Sequence, residues 1–272
     1  MGVRGITKVR NEAHIIQATL DNWAEYCTDG IHVYDDGSTD DTPGICRAHP
    51  AVNEVISSDL TDPDRERAEW YCRHTVLHSA RRFMDNSIGS NDWLCVFDAD
   101  EHLEQFDVDV LEGEDRVVAC MLFDAYITPA DADMIGGGFT FDNGHTWRNR
   151  KHVAPEFQIM PYFYRLPRTW QEEAAFDFSV PDQRILVRSE TMALHGKARH
   201  FGKAISIEHF EAKCDYYASE WPKYAEKWAA RKGKAVHTVS DFGNPLVLWQ
   251  DILSGKVEPM TTFIEREGEP VS

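Results

Sequence analysis

Trp93-Leu94-Cys95-Val96-Phe97-Asp98-Ala99-Asp100-Glu101 is the stretch whose reading decides the fold. Five apolar or aromatic residues in a row make a strand buried on both faces, and the run ends in three carboxylates interrupted only by Ala99. Side chains alternate along a strand, so Asp98 and Asp100 share a face. Carboxylates held so close repel unless a cation lies between them or one keeps its proton. A hard divalent ion, Mg2+ or Mn2+, answers that need with oxygen ligands. An isolated D-x-D also arises wherever a loop is solvated, so the rest of the chain must supply the context.

Upstream, Gly2 to Val9 has the pattern of a first strand, and Asn11-Glu12 opens a helix with Ile16, Leu20, Trp23 and Cys27 at helical spacing before Gly30. Ile31 to Tyr34 is a second strand running into the turn Asp35-Asp36-Gly37-Ser38-Thr39-Asp40-Asp41-Thr42-Pro43. Val52 to Ile56 is a third strand. Asp64 to about Asp85 is helical, with Ala68, Cys72, Val76, Ala80 and Phe83 along one side. Strand and helix thus alternate up to Trp93, the pattern of an α/β fold with a parallel sheet and helices on both faces. Such sheets bind ligands at the carboxyl ends of their strands, where the Asp35-Asp36 and Asp98/Asp100 turns both fall.

Downstream, Arg116 to Phe123 is another buried strand, after which the alternation stops. Gly136-Gly137-Gly138 and the aromatic residues after it form either a closing loop or a simple bend. Ile159 to Leu166 and Ile185 to Val187 are strand-like. Met192 to Lys203 gathers His195, Lys197, Arg199, His200 and Lys203, a dense cationic run for so acidic a chain. A long helix from about Ser206 carries Phe210, Cys214, Tyr217, Trp221, Tyr224 and Trp228 on one side, with Pro222 kinking or dividing it. That stripe is expected to pack on the sheet, and the residues from Pro259 to form a loose tail.

Composition narrows the function. At 272 residues and 42% hydrophobic, the chain can bury the core of one large domain, alone or with a smaller appendage. A formal charge of -18 argues against a general nucleic-acid or anionic-membrane binder, since both surfaces would repel it. Six dispersed cysteines without a C-x-x-C pair fit free thiols in a reducing cytosol and suggest neither a zinc site nor a disulfide framework. The first residues lack an apolar signal core, and the longest apolar run, Val117 to Phe123, is too short to span a bilayer. The expectation is a soluble, cytoplasmic protein without a transmembrane segment, for which peripheral membrane contact stays open.

Read together, "KVRNEA", "VYDDGSTDDT", the Arg-bearing "CRHTVLHSA" and "WLCVFDADE" occur in the order and approximate spacing of family 2 glycosyltransferases of the GT-A fold, which the chain resembles over about its first 125 residues. "HGKARHFGKAISIEHFEAKCDYY" is similar to the ending of one branch of those enzymes. The resemblance implies a GT-A (Rossmann-like) sheet, with residues 1–125 as the nucleotide-sugar half and 126–272 as the acceptor half and C-terminal aromatic helix of the same domain. It also implies inverting transfer from a UDP- or GDP-sugar to a glycan or glycolipid, often in polysaccharide synthesis, with Mn2+ or Mg2+ on the diphosphate. Carried over by residue, Asp100 is the metal ligand, and Asp98 contacts the ribose or reaches the ion through water. Asp36 binds the base beside Lys8, Val9, Arg10 and Asn11. Arg73 contacts the nucleotide, with Arg67 as its rival, and His200 is a further metal or diphosphate ligand, with His195 second. Inversion also needs a carboxylate base. Glu172, Glu173, Asp177 and Asp182 are candidates, and Asp177 between Phe176 and Phe178 is favoured because apolar neighbours raise a carboxyl pKa.

The alternatives are a non-catalytic nucleotide-sugar or divalent-ion module and, further off, a metal-dependent nucleotidyltransferase, whose Gly-rich, Arg-bearing loop is replaced here by Asn11-Glu12-Ala13. Replacing Asp100 is expected to cost metal-dependent binding and little stability.

Overall fold

The computed structural model describes residues 1–57, 65–82, 92–133, 146–165 and 192–261. Its first half alternates as expected: β1 (Val3–Val9), α1 (Ile16–Ala24), β2 (Ile31–Asp35), α2 (Thr42–Ala48), β3 (Val52–Ser57), α3 (Arg65–Arg82) and β4 (Trp93–Asp98). The four strands lie in the order β3-β2-β1-β4 and all their pairings are parallel. Trp93 to Phe97 are each at most 1% exposed, so the strand is buried on both faces. Its alternation divides the core. Trp93, Cys95 and Phe97 pack with Leu20 and Trp23 of α1 on one face, and Leu94 and Val96 pack with Cys72, Val76 and Ala80 of α3 on the other. Trp23 stacks on Phe97 with ring centroids 4.3 Å apart. Gly5 is required where the chain leaving α1 meets β1, because a Cβ there would lie 2.8 Å from Cys27 Sγ and 3.1 Å from Phe97.

The rest of the chain adds to the same sheet. β5 (Glu101–Gln105), β6 (Val117–Ala125), β7 (His152–Arg165) and β8 (Met192–His200) extend it as β4-β7-β6-β8-β5. β7 runs antiparallel to both β4 and β6, β8 is parallel to β6, and β5 is antiparallel to β8. α4 (Pro129–Asp133) follows β6. α5 (Ile207–Glu220), α6 (Ala225–Ala229), β9 (Val247–Leu248), α7 (Trp249–Leu253) and β10 (Met260–Thr261) complete the described chain, with β9 and β10 both pairing with β7. Among the described residues no helix is long and apolar enough to cross a membrane.

Two details differ from the sequence reading, and a third decides between the kink and the division that Pro222 allowed. Helix α1 starts at Ile16 and not at Asn11, because Asn11 takes a left-handed φ of 55° and the amides of Asn11, Glu12 and Ala13 bond to Ser38, Thr42 and Asp40 side chains instead of helical carbonyls. The long C-terminal helix is divided at Pro222, whose missing N–H and fixed φ end α5 before a short 3-10 turn leads to α6. The residues from Pro259 are tied down in part, since Met260 and Thr261 pair with β7. The glycine loop at 136–138, the strand-like 185–187 and the candidate bases Glu172, Glu173, Asp177 and Asp182 lie outside the described residues.

Candidate active site

The carboxyl ends of β1, β2 and β4 lie side by side, because Lys8 is in register with Tyr34 on one side and with Asp98 on the other. Two turns rise from these ends and are laced together. Asn11 Oδ1 accepts from Thr39 N at 2.7 Å, Ser38 Oγ accepts from Asn11 N at 2.9 Å, and Thr42 Oγ1 accepts from Glu12 N at 2.8 Å. The "RNEA" and "DDGSTDDT" segments are therefore one structure, and each is shaped by the other's side chains.

Beside them opens a cleft of about 470 Å3, whose floor includes Lys8, Arg10, Arg73, Asp98 and Asp100, with α5 and α6 as its far wall. Asp98 faces Arg73 Nη2 at 3.6 Å, and its amide donates to Glu101 Oε2 at 2.9 Å. Glu101, fully buried, is thus the brace of the carboxylate turn. Trp23 Nε1 donates to the Glu101 carbonyl at 2.8 Å and anchors the turn to the core. Asp36 is only 3% exposed and lies under the cleft, 3.8 Å from Lys8 Nζ and 3.7 Å from Arg10 Nη1. Val9 turns into the core, while its carbonyl accepts from Asp36 N. The side chain of Arg67 lies outside the described residues, and His195 stacks edge-on against Phe106, away from the cleft residues.

Strand register brings Asp100 and His200 together. β5 follows the carboxylate turn directly and pairs with β8 so that Glu101 lies opposite His200, and β8 in turn sets His200 beside Asp124 at the end of β6. His200 Nε2 is 3.2 Å from Asp100 Oδ2, and its Nδ1 is 2.6 Å from Asp124 Oδ1. Lys213 of α5 donates to Asp100 Oδ2 at 3.0 Å, and Lys203 bridges Asp124 and Asp241 at 2.6 Å each. Cations and anions alternate from Lys213 through Asp100, His200, Asp124 and Lys203 to Asp241. Burial alone would raise the Asp100 and Asp124 pKa values, yet Lys213 and His200 hold the first well below the usual carboxylate range, and Lys203 and His200 do the same to the second. Burial opposes charge on His200 as well, but Asp100 and Asp124 carry its pKa up to about 10.

The divalent ion implied by the resemblance can be tested against this geometry. A Cβ on Gly202 would stand 2.5 Å from Lys213 Nζ, 2.6 Å from Asp100 Oδ2 and 2.7 Å from His200 Nε2, so glycine keeps open the place where these groups converge. The carboxylate oxygens of Asp98 and Asp100 suit Mn2+ or Mg2+, and the single imidazole of His200 favours Mn2+ of the two. The residues fit such an ion, which Asp100 and His200 would hold in the place where Lys213 now meets Asp100.

The far wall corrects one expectation. Phe210 and Cys214 are buried with Ala235, but Tyr216, Tyr217, Trp221, Tyr224 and Trp228 line the cleft and do not pack on the sheet. Tyr217 and Trp228 are stacked at 4.7 Å and 12°, and Arg10 lies over the Tyr216 ring at 5.4 Å. Once α5 breaks at Pro222, the aromatic residues beyond it turn toward the open cleft.

Sequence reading passed over Asp124, Lys213 and Glu12 as site residues. Asp124 had a signal, since it ends the buried run Val117 to Phe123 as Asp98 ends its own strand. Lys213 had none, because its partner lies on β5's turn more than a hundred residues away. Glu12 lines the cleft, where burial and then Asp100 raise its pKa to about 8. His209 also lines it, and burial followed by the charge of Lys213 lowers its pKa to about 3.

No family model matches the chain. Uncharacterized proteins of Mycobacterium tuberculosis (Rv3786c) and Mycobacterium bovis (Mb3815c) are each 32% identical to it over 142 residues, 50% of this chain and 33% of theirs. The chain spans about a third of the length of the curated relatives it matches. Among solved structures, residues 1–349 of S. aureus TarS align with a TM-score of 0.44 and 14% identity over 84% of this chain and 68% of that one. TarS in complex with UDP aligns with a TM-score of 0.43. Glucosyl-3-phosphoglycerate synthase from Mycobacterium tuberculosis, in complex with Mn2+, UDP and glucosyl-3-phosphoglycerate, aligns with a TM-score of 0.30 and 20% identity over 44% of each chain.

Proposed function

We propose that the chain is a nucleotide-sugar glycosyltransferase of the GT-A type, metal-dependent and inverting, which takes a UDP- or GDP-sugar and a glycan or glycolipid acceptor. One observation carries the reading: in a chain of charge -18, a cleft at the strand ends collects Lys8, Arg10, Arg73, Lys203 and Lys213 beside Asp98 and Asp100, opposite an aromatic wall. Cations at this end of the sheet suit the diphosphate, and flat aromatic faces suit a sugar ring or a base.

In this reading Arg73 and Lys8 receive the nucleotide, Asp98 takes the ribose hydroxyls, and Asp36 holds Lys8 and Arg10 in place from below. Asp100 and His200, with Asp98 beside them, would hold the ion, which when bound supplies charge stabilisation for the leaving diphosphate. Lys203 keeps Asp124 charged and so keeps His200 oriented toward Asp100. Tyr217 and Trp228 shield the sugar from water. Asp177 is proposed as the base that takes the acceptor proton.

The test is turnover of labelled UDP- and GDP-sugars with Mn2+ and a panel of acceptors, followed as release of free nucleoside diphosphate. Metal-dependent release is the expected result. Metal-dependent binding without release would establish the non-catalytic module in its place, and binding of neither donor would remove both.

A further inference from the structure

Three donor atoms lie together at one edge of the cleft and take no part in the charge chain described above. They belong to Glu12 and His14, in the turn between β1 and α1, and to His209, in the first turn of α5. One carboxylate oxygen and one nitrogen from each imidazole all fall within 4.8 Å of one another, and Glu12 Oε2 is 3.9 Å from His14 Nε2. The two imidazoles meet edge to face with centroids 4.6 Å apart.

A second observation points to a ligand. Glu12 Oε2 and His209 Nε2 are both shut off from solvent, and neither has a hydrogen-bond partner among the described residues. Buried polar atoms are paired as a rule, because leaving one unmade costs about 1–3 kcal/mol. Here two such atoms, one a carboxylate oxygen and the other an imidazole nitrogen, are orphaned in the same small cluster. The backbones that carry them are fixed. Glu12 N donates to Thr42 Oγ1 and its carbonyl accepts from Ile15 N and Ile16 N, while His209 N is held by the Ser206 side chain that caps α5. Lys213, the nearest competing cation, already donates to Asp100.

We infer that Glu12, His14 and His209 form a binding site for a first-row divalent ion of the Zn2+ type, distinct from Asp98 and Asp100. Two imidazoles and one carboxylate are a borderline donor set, which prefers Zn2+ or Co2+ to Mg2+. Bonds of about 2.0–2.1 Å place tetrahedral ligands roughly 3.3 Å apart, so side-chain adjustments of about an ångström close the cluster on an ion. Glu12 and His209 line the cleft, so a fourth position opens toward whatever the cleft holds. The ion ties the turn after β1 to α5, the two walls of the cleft. The inference stands apart from the donor assignment and concerns the metal-binding residues alone.

The test uses the full chain freed of metal, titrated calorimetrically with Zn2+ and followed with Co2+ by its visible absorption, with Mg2+ as the hard-ion comparison. One Zn2+ per chain and tetrahedral-type Co2+ bands are expected. Outer-shell changes at metal sites cost 10–100-fold in affinity, so loss of a direct ligand in E12Q, H14A or H209Q should cost at least tenfold, with H195A, which removes an imidazole away from the cleft, leaving the site intact. His14 has a side chain 34% exposed, so H14A carries the test even where the other variants fail to fold. Absence of Zn2+ binding by the unaltered chain, or Zn2+ binding undiminished in H14A, would overturn the inference. A failed glycosyl transfer would show separately, as no nucleoside diphosphate release beside an intact Zn2+ titration.

Discussion

Lys213→Met is the perturbation that most directly interrogates the opening stretch. Its ammonium lies 3.0 Å from Asp100 Oδ2, with the two side chains 16% and 8% exposed. Removing one partner of a buried ion pair costs about 3–5 kcal/mol, because the other charge is left uncompensated. His200 remains 3.2 Å from the same oxygen, which argues for the lower end, about 3 kcal/mol. At roughly 2–4 °C per kcal/mol for a domain approaching this size, the melting temperature should fall by about 6–12 °C. A divalent ion can then do for Asp100 what Lys213 did. At a hundred times its dissociation constant it returns about 2.7 kcal/mol, nearly the whole loss. The assay is thermal melting with Mg2+, a hard ion poorly suited to the imidazole cluster at Glu12. K213M should be destabilised without Mg2+ and largely restored by it, the unaltered chain should respond much less, and K213M/D100N should not be restored at all. Equal Mg2+ shifts in all three proteins would show that Asp100 is not the cation-binding carboxylate. The same geometry revises the expectation that Asp100 is cheap to replace, since D100N strands Lys213 as surely as K213M strands Asp100.

Trp23→Ala should destabilise by about 3–5 kcal/mol in urea unfolding, because it removes the ring stacked on Phe97 and the donor to Glu101; a loss below 1 kcal/mol would show that the carboxylate turn is braced elsewhere. Trp228→Ala removes the ring stacked on Tyr217 and, at about 0.5–1.5 kcal/mol for an aromatic pair, should lower the melting temperature by about 1–6 °C, with KM for donor or acceptor rising as well; an unchanged KM would show that this ring meets neither substrate. All six cysteines are buried thiols, and burial lifts the Cys46 thiol to about 12, so a thiol-specific chromogenic reagent should label the native chain slowly and all six sites at once on unfolding. Since the folded Cys46 holds its proton more tightly than the unfolded thiol, whose ordinary value is 9.0, its contribution to stability should be lost as pH rises from about 9 toward 12; Cys46→Ala should flatten that part of the curve.

How much of this was legible follows from range. Trp93 to Asp98 announces itself because a run of apolar residues ending in carboxylates needs only strand geometry to be understood, and the parallel order β3-β2-β1-β4 follows from alternation with helices. Asp36, Arg73 and Asp98 were reached by resemblance, and the fold sets Arg73 against Asp98 directly while keeping Asp36 beneath the cleft. The charge chain was not legible. It depends on β5 pairing with β8 and β8 with β6, contacts between segments about 75 to 100 residues apart that no periodicity encodes. The aromatic stripe was visible but its direction was not, because helical spacing sets Tyr217 and Trp221 on one side of the helix without saying which neighbour that side meets. Helix α1 was begun too early because helical spacing reveals nothing about an Asn in the left-handed region whose neighbours' amides are already taken by another turn.

Tethered cations explain why the site can exist in so acidic a chain. Each lysine and arginine lining the cleft is tethered to a carboxylate: Lys8 and Arg10 share Asp36, Arg73 has Asp98, Lys213 has Asp100, and Lys203 has Asp124 and Asp241. Free lysines on a protein of charge -18 would be drawn to whichever surface carboxylate lay nearest and would lose rotamer freedom on meeting a ligand. Tethered ones are oriented beforehand, and the desolvation of both charges has been met during folding. An incoming diphosphate then competes with carboxylates already in place, so bare phosphate should bind weakly. On the proposed function, a ligand that brings its own divalent ion would change the balance, with Asp100 holding the ion and Lys213 left to the phosphates. Metal and nucleotide should therefore bind with positive coupling, each raising the other's affinity by the same factor, and Lys213→Met should reduce that factor by removing the group that passes between them.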